Sequence, residues 1–319
     1  MLFTGALILG ALTAYAVHEF QSAGPLQTEQ NIVVARGGSV SQIAAQLHRE
    51  NIIAHPLLFR IAARIEGDSL KAGEYQFAPR QSAESVLAKL SEGETFARAI
   101  TFAEGLTVHQ FADRLNKRDD LSGDIKELPL EGTLMPDTYQ FEKGTARQDV
   151  VNRAYKAMQS YLDQAWDKRA ENLPLETKKE ALILASIVEK ETGVAGERAK
   201  IAGVFINRLN IDMPLQTDPT ILYGLTRGKV QEDGMGPIGR RLLRKDLEQD
   251  GPYNTYTRQG LPPTPIANPG RAAIDAVLNP ARHDYLYFVA DGSGGHAFAE
   301  TLEGHNRNVA QWRKIRKNN

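Results

Sequence analysis

One apolar segment near the middle of the chain most constrains its fold. Residues 177–193 read TKKEALILASIVEKETG, and this run predicts a single helix. Thr177 and Glu180 stand at the spacing of a capping box, and Gly193 is a residue type that commonly ends a helix. We therefore expect the rest of the chain to be organised around this helix.

Two carboxylates stand in the last turn of the predicted helix. Their position is unusual, because the C-terminal end of a helix carries negative partial charge. Glu191 falls at the edge of an apolar stripe beside Ile187 and Leu184, whereas Glu189 falls on another face. Apolar surroundings and the helix end should raise the pKa of such a carboxyl, as a general acid requires. Two solvated glutamates on a fraying end are the alternative interpretation.

Composition narrows the classes of function. The 319 residues suffice for about two domains, and the net charge of −1 gives no overall field that would attract nucleic acid. The chain has no cysteine, which excludes disulfides, thiol catalysis and cysteine–zinc sites. The seven histidines show no H-E-x-x-H spacing, and no P-loop or dinucleotide fingerprint occurs. We expect no metal, no cofactor and no nucleic-acid partner.

The N-terminus carries a signal for location. Residues 2–17 contain no charged side chain. Although this run is slightly short for a membrane-spanning helix, residues 1–20 are predicted to be an uncleaved transmembrane anchor, followed by a linker over residues 21–30. A cleaved signal peptide is the alternative, since Ala14 and Ala16 form a small-x-small site, and the usual basic n-region is missing. Either interpretation exports everything after about residue 20.

A small module is predicted over residues 31–95. Its pattern is a short strand, a Gly-Gly turn, two helices, a return strand near residues 73–77 and a further helix. This order, with VVARGGSVSQIAAQL at its start, resembles a LysM module, and the resemblance implies binding of N-acetylated glycans. A purely structural subdomain is the alternative. The fold class that we predict is α+β, with the anchor, this LysM-like subdomain and a larger mixed α/β domain over residues 96–319.

Several aperiodic loops of the larger domain carry polar tips. Gln216 and Asp218 stand in a loop with proline near both ends, and Asn254 and Tyr256 stand in the segment PYNTYT. Amides and aromatic rings of this kind typically line carbohydrate clefts, where rings stack on sugars and amides read acetamido groups. Hydrogen bonds that merely stabilise the loops are the alternative for each of the four residues.

A set of motifs in register from about residue 30 to the C-terminus resembles the YceG-like family of endolytic murein transglycosylases. The motifs are EGTLMPDTYQF (131–141), LASIVEKET (184–192), VFINRL (204–209), LQTDPT (215–220), YNTY (253–256), GLPP (260–263) and YLYFVADGSGGHAF (285–298). The resemblance implies a single-pass protein of the inner (cytoplasmic) membrane with its catalytic domain in the periplasm. It also implies endolytic cleavage between N-acetylmuramic acid and N-acetylglucosamine in nascent strands, which leaves 1,6-anhydro ends. Termination of strand elongation and peptidoglycan synthases as partners are further implications.

The resemblance also favours one of the two glutamates. Other lytic transglycosylases place their catalytic acid before a serine at the end of an apolar helix, and Glu191-Thr192 matches that placement, whereas Glu189-Lys190 does not. Glu191 is therefore predicted to be the acid/base, with Gln216, Asp218, Asn254 and Tyr256 binding substrate. A muramidase-type hydrolase that uses Glu191 and Asp218 is one alternative, and a non-catalytic scaffold that binds peptidoglycan is the other.

Overall fold

The computed structural model describes residues 2–67, 69–229 and 237–318, and the chain separates into two compact units. Unit 1 consists of Met1–Ala99 and Gln140–Lys143, and unit 2 consists of Ile100–Tyr139 and Gly144–Asn319. Within the described residues the strands form two-stranded sheets, and helices make up most of the regular structure. The predicted combination of helices and strands is confirmed.

The regular elements of the described residues have the following bounds. The helices are α1 (Leu2–Gln21), α2 (Val40–Arg49), α3 (Pro56–Ile65), α4 (Ala83–Glu92), α5 (Val108–Asn116), α6 (Arg147–Asp167), α7 (Lys178–Glu191), α8 (Arg198–Asn210), α9 (Asp218–Thr226), α10 (Arg244–Glu248), α11 (Arg271–Leu278) and α12 (Leu302–Asn318). The strands are β1 (Gln30–Val34), β2 (Gly73–Phe77), β3 (Arg98–Thr101), β4 (Thr138–Phe141), β5 (Tyr287–Ala290) and β6 (His296–Ala299). A 3₁₀ turn, Ala195–Glu197, precedes α8.

Unit 1 is built on the β1–β2 ribbon. The two strands are antiparallel, with Gln30 opposite Phe77, and β1 alternates buried and exposed side chains. Helix α2 starts with a capping box from Ser39, and its buried face packs into the same core as α3 and α4. Phe59 and Tyr75 are fully buried at the centre of this core. From β1 to α4 the order of elements is strand, helix, helix, strand, helix.

Helix α7 forms the centre of unit 2. Residues 181–188 are all buried, and a helix that is apolar all round is stable only when other elements enclose it. Helices α8 and α11 pack against it, and α6 contributes further apolar side chains to the same cluster. The predicted capping box is confirmed: Thr177 accepts from the Glu180 amide, and the Glu180 carboxylate accepts from the Thr177 amide at 2.9 Å. The core therefore fixes the end of α7, where the two carboxylates stand.

One local expectation was confirmed and another was wrong. Helix α7 ends at Glu191 with the extended residue Thr192 as its cap, so Gly193 is the first residue beyond the helix, as predicted. The segment that contains Asp218 was expected to be a loop, but Asp218 begins α9. Pro219 stands in the first turn of α9, where the missing N–H costs no intrahelical hydrogen bond.

Helix α1 bears on the predicted anchor. It exposes large aliphatic side chains, among them Leu7, Leu9 and Leu12 at 60–70% exposure. Across the described part of the chain, however, no helix combines the length and the apolar character that a membrane crossing requires. The anchor over residues 1–20 stays a prediction.

Candidate functional site

The end of α7 presents Glu191 to a loop that comes from another part of unit 2. The Thr217 hydroxyl donates a hydrogen bond to Glu191 Oε1. Thr217 is itself buried, and its amide donates to Thr255 Oγ1 at 3.1 Å. The chain before α9 and the segment around Thr255 are thus joined beside the carboxyl group. A residue on a rigid, buried helix is held in a fixed position relative to this polar wall.

Electrostatics at Glu191 favour its protonated form. Burial is the main cause that raises the pKa of this carboxyl, and the negative charge of Asp218 raises it further. The hydrogen bond from Thr217 acts in the opposite direction, as do the positive charge of Arg208 and the electrostatic effect of His296. The net result is a pKa above the ordinary value for glutamate, which is the property that a general acid at neutral pH needs.

Glu189 has a different environment, although only Lys190 separates it from Glu191. Its side chain is 5% exposed, and one carboxylate oxygen accepts a hydrogen bond of 2.9 Å from the Gly270 amide. The other oxygen lies 3.7 Å from the Arg198 guanidinium. Gly270 is the cap residue of α11, so Glu189 joins the end of α7 to the start of α11. Burial raises the pKa of this carboxyl too, but its contacts are those of a structural link.

Three of the predicted substrate-binding residues lie around the same loop. Asp218 is exposed, and its Oδ1 accepts a hydrogen bond of 2.6 Å from the Tyr256 hydroxyl. Gln216 is also exposed, and its left-handed backbone (φ 50°) is held by a 3.0 Å hydrogen bond from its amide to Thr255 O. Burial and the neighbouring Asp218 both raise the pKa of Tyr256, so its hydroxyl remains a donor at neutral pH. Amide, carboxylate and phenol groups are thus available near Glu191.

Asn254, the fourth predicted residue, faces inward. It is 4% exposed, and its amide nitrogen donates to Leu247 O and Gln249 O at 2.9 and 2.7 Å. Its side-chain oxygen accepts from the amides of Tyr256 and Thr257. All of these partners belong to the chain itself, so the contacts are those of a residue that shapes the loop carrying Tyr256.

Sequence reasoning missed several groups at this site. Arg208 is buried on α8, and its guanidinium donates to the carbonyls of Leu215 and Leu286 at 2.7 Å each. These bonds fix the loop before Thr217 to the segment that leads into β5. An arginine within the apolar run VFINRL was the available signal, because a buried cation must have partners. Thr217 gave no comparable signal, since a threonine in a loop is common.

A histidine–carboxylate pair was missed as well. His296 Nδ1 lies 2.7 Å from Glu197 Oε2, and the His296 amide donates to Glu197 Oε1 at 3.0 Å. The two contacts fix the His296 ring at the start of β6, and its electrostatic interaction with Glu191 lowers the pKa of that carboxyl. The sequence separates these residues by almost a hundred positions, so only the fold brings them together.

The comparisons with known proteins agree with one another. The model of the YceG-like family matches residues 32–311. A Bacillus subtilis protein named endolytic murein transglycosylase is 35% identical over 314 residues, which cover 88% of this chain and 84% of the relative. A Streptococcus pneumoniae protein of the same name is 31% identical, with coverage of 87% of this chain and 57% of the relative.

A solved structure extends the similarity to the fold. The crystal structure of a YceG-like protein from Listeria monocytogenes has a TM-score of 0.54 and 30% sequence identity to this chain. The match covers 88% of this chain and 98% of the Listeria chain. The family model, the sequence relatives and the structural neighbour each match most of this chain, and the chain therefore belongs to the YceG-like family.

Proposed function

We propose that this protein is an endolytic murein transglycosylase and that Glu191 is its single acid/base. The observation that carries the proposal is the position of Glu191: the end of a buried helix, with a raised pKa, facing a loop with exposed polar side chains. Curated relatives of the same family are named for this activity. The substrate is peptidoglycan, cleaved within the glycan strand between N-acetylmuramic acid and N-acetylglucosamine.

The proposed reaction needs one carboxyl group in two roles. Protonated Glu191 donates its proton to the glycosidic oxygen as the bond from C1 of the muramic acid breaks. The carboxylate then takes the proton from the C6 hydroxyl of the same sugar, whose oxygen forms the new bond to C1. The products are a 1,6-anhydro end and a free hydroxyl on the departing sugar, and Glu191 regains its proton. An intramolecular nucleophile avoids the entropic cost of positioning a water molecule.

The neighbouring groups have supporting roles in this proposal. The Thr217 hydroxyl stabilises the carboxylate formed after the first proton transfer. In this proposal Gln216 and Asp218, whose side chains are exposed, hold sugar hydroxyl and acetamido groups together with the Tyr256 hydroxyl. Arg208 and Asn254 keep the two loop segments in position through carbonyl and amide contacts.

The decisive experiment is digestion of purified glycan strands, with mass spectrometry of the products. Wild-type protein should yield internal fragments with anhydro ends, Glu191→Gln should form them about a thousandfold more slowly, and Glu189→Gln is the matched control at the same helix end. Reducing ends without anhydro sugars would replace the proposal with a hydrolase that uses Glu191 and Asp218. Glycan binding without any cleavage would assign a scaffold role.

The location and the cellular role are part of the proposal. We place the protein in the inner (cytoplasmic) membrane through residues 1–20, with unit 2 in the periplasm, where its substrate is. Unit 1 would act as a LysM-like module for glycan, and cleavage of nascent strands would end their elongation beside peptidoglycan synthases. Protease treatment of spheroplasts tests the location: external protease should degrade residues 31–319, and protection of this segment would contradict it.

A further inference from the structure

The outer face of α3 in unit 1 carries an apolar stripe that the core does not use. Leu57, Ile61 and Ile65 follow at intervals of four and are 62%, 50% and 81% exposed. Side chains at this spacing lie on one face of a helix. The opposite face already supplies Phe59 and Ala63 to the core of unit 1. The fold of unit 1 therefore gives no reason for three aliphatic residues on the outer face.

Positive charge borders this stripe. Arg60 and Arg64 are exposed and lie beside the stripe on the helical wheel of α3. Two arginines and three aliphatic residues therefore occupy five neighbouring positions around the helix. Within the described residues neither arginine forms an ion pair, and α3 contains no acidic side chain. A shallow groove of about 550 Å³ between α2 and α3 adds Arg49 to the same side. The face is apolar and cationic together.

The start of α3 is held against the end of α1. Glu19 Oε2 on α1 lies 3.3 Å from the Nε2 atom of His55, the residue before α3. Phe20 packs against the core of unit 1. Further toward its N-terminus, α1 exposes the aliphatic side chains of Leu7, Leu9 and Leu12. Two neighbouring helices of one unit thus both present unpartnered aliphatic surface.

We propose that the outer face of α3, defined by Leu57, Arg60, Ile61, Arg64 and Ile65, rests on an anionic lipid bilayer. The aliphatic side chains enter the boundary between headgroups and acyl chains, and the two guanidinium groups bind headgroup phosphates. Amphipathic helices with basic residues beside an apolar face bind lipid surfaces in this way. A glycan is a poorer match, because the stripe has no aromatic ring on which a sugar could stack. The proposal concerns unit 1 and does not depend on the activity of unit 2.

Single-site fluorescence on the full chain tests this assignment. The chain has no cysteine, so Ile61→Cys gives one site for an environment-sensitive label. Val33→Cys is the matched control, because Val33 is also aliphatic, 54% exposed and part of unit 1. Each labelled protein is mixed with phosphatidylcholine vesicles, with or without phosphatidylglycerol, that carry a lipid-bound quencher. We expect quenching at position 61 in the anionic vesicles and none at position 33.

Arginine variants test the role of charge. Arg60→Ser and Arg64→Ser should each lower the ratio of inserted to free label at position 61 about fivefold, and the double variant about 25-fold. Arg36→Ser, in an exposed turn of unit 1, is the control and should leave the ratio unchanged. Thermal unfolding should show that all of these surface variants remain folded, and their cleavage of soluble glycan strands should equal that of the wild type.

Three results would overturn the proposal. Absence of quenching at position 61 would remove the lipid contact altogether. Equal quenching with neutral and anionic vesicles would exclude recognition of headgroup charge. Shielding of the label by soluble glycan strands, or by a second copy of the chain in the absence of lipid, would assign the face to that occupant instead.

Discussion

The two sides of the end of α7 differ more than the sequence suggests. On one side Glu189 has an amide donor and a guanidinium as partners, and it joins two helices. On the other side Glu191 contacts a hydroxyl group in a loop with exposed amide and carboxylate side chains. Burial raises the pKa of both carboxyls. A raised pKa alone therefore does not identify a catalytic acid. The hydrogen-bond partners of each carboxylate distinguish one that joins two helices from one that is available for catalysis.

The largest expected effect follows from removing the proposed acid. Glu191→Gln should lower the rate of anhydro-end formation about a thousandfold, within the range for loss of a general acid. Its amide oxygen can still accept from Thr217, so the melting temperature should stay near that of the wild type. Product analysis and calorimetry check the two statements. If Glu191→Gln kept the wild-type rate and Glu189→Gln lost activity, the acid would be Glu189 and not Glu191.

The sequence predicted the helix and its acid pair because both depend on local patterns. The capping box at Thr177 and the continuous apolar run determine α7 without reference to distant residues. The same holds for α2, whose Ser39 cap and apolar spacing are local. A pattern with a period of a few residues predicts a helix or strand wherever the fold buries one face of that element.

Contacts between distant segments could not be predicted in this way. Glu197, in the 3₁₀ turn before α8, and His296, on β6, meet only through the fold of unit 2. Asn254 looked like a ligand-binding amide because its type and loop position fit, but burial turns its side chain toward Leu247 and Gln249. Sequence gives the chemical type of a side chain, and the fold decides which way that side chain faces.

The second prediction concerns the carboxylate that faces Glu191. Asp218→Asn removes a negative charge that raises the pKa of Glu191, so that pKa should fall. The protonated acid is then lost at lower pH, and the alkaline limb of the kcat/KM profile should move to lower pH. We expect a rate loss of about tenfold at neutral pH, because a substrate contact is lost as well.

Tyr256→Phe is the control for this variant. It removes the 2.6 Å hydrogen bond to Asp218 but leaves the charge in place. The alkaline limb should therefore not move down in Tyr256→Phe. Complete inactivity of Asp218→Asn, with wild-type protein that releases sugars without anhydro ends, would support a two-carboxylate hydrolase instead.

The third prediction is a change that raises the pKa of Glu191 instead of lowering it. The Thr217 hydroxyl stabilises the Glu191 anion and so lowers its pKa. Thr217→Val removes this donor at nearly constant volume, and the alkaline limb should move to higher pH, with a severalfold change in rate. When kcat/KM is measured across the pH range for both Thr217→Val and Asp218→Asn, the alkaline limbs of the two variants should move in opposite directions. A shift in the same direction for both variants would exclude Glu191 as the titrating group.

The fourth prediction sharpens the structural side of the comparison. Glu189→Ala leaves the Gly270 amide without its acceptor and should lower the free energy of unfolding by about 2 kcal/mol. Glu189→Gln retains an acceptor oxygen and should lose only about 1 kcal/mol. Chemical denaturation measures both. Equal losses for the two variants would mean that the ion pair with Arg198, rather than the amide contact, carries the stabilisation.

The smallest expected effect concerns Glu131, a third partly buried carboxyl in unit 2. Its Oε1 accepts from the Val108 amide at 2.9 Å, and burial raises its pKa from 4.5 to about 7. Between these two values the folded chain binds more protons than the unfolded chain, so the free energy of unfolding falls as the pH rises through this window. Glu131→Gln stays neutral and should remove this part of the decrease, about 1 kcal/mol after allowance for partial exposure to solvent. Denaturation at pH 5 and pH 8 measures the difference, and an unchanged pH dependence in Glu131→Gln would contradict this assignment.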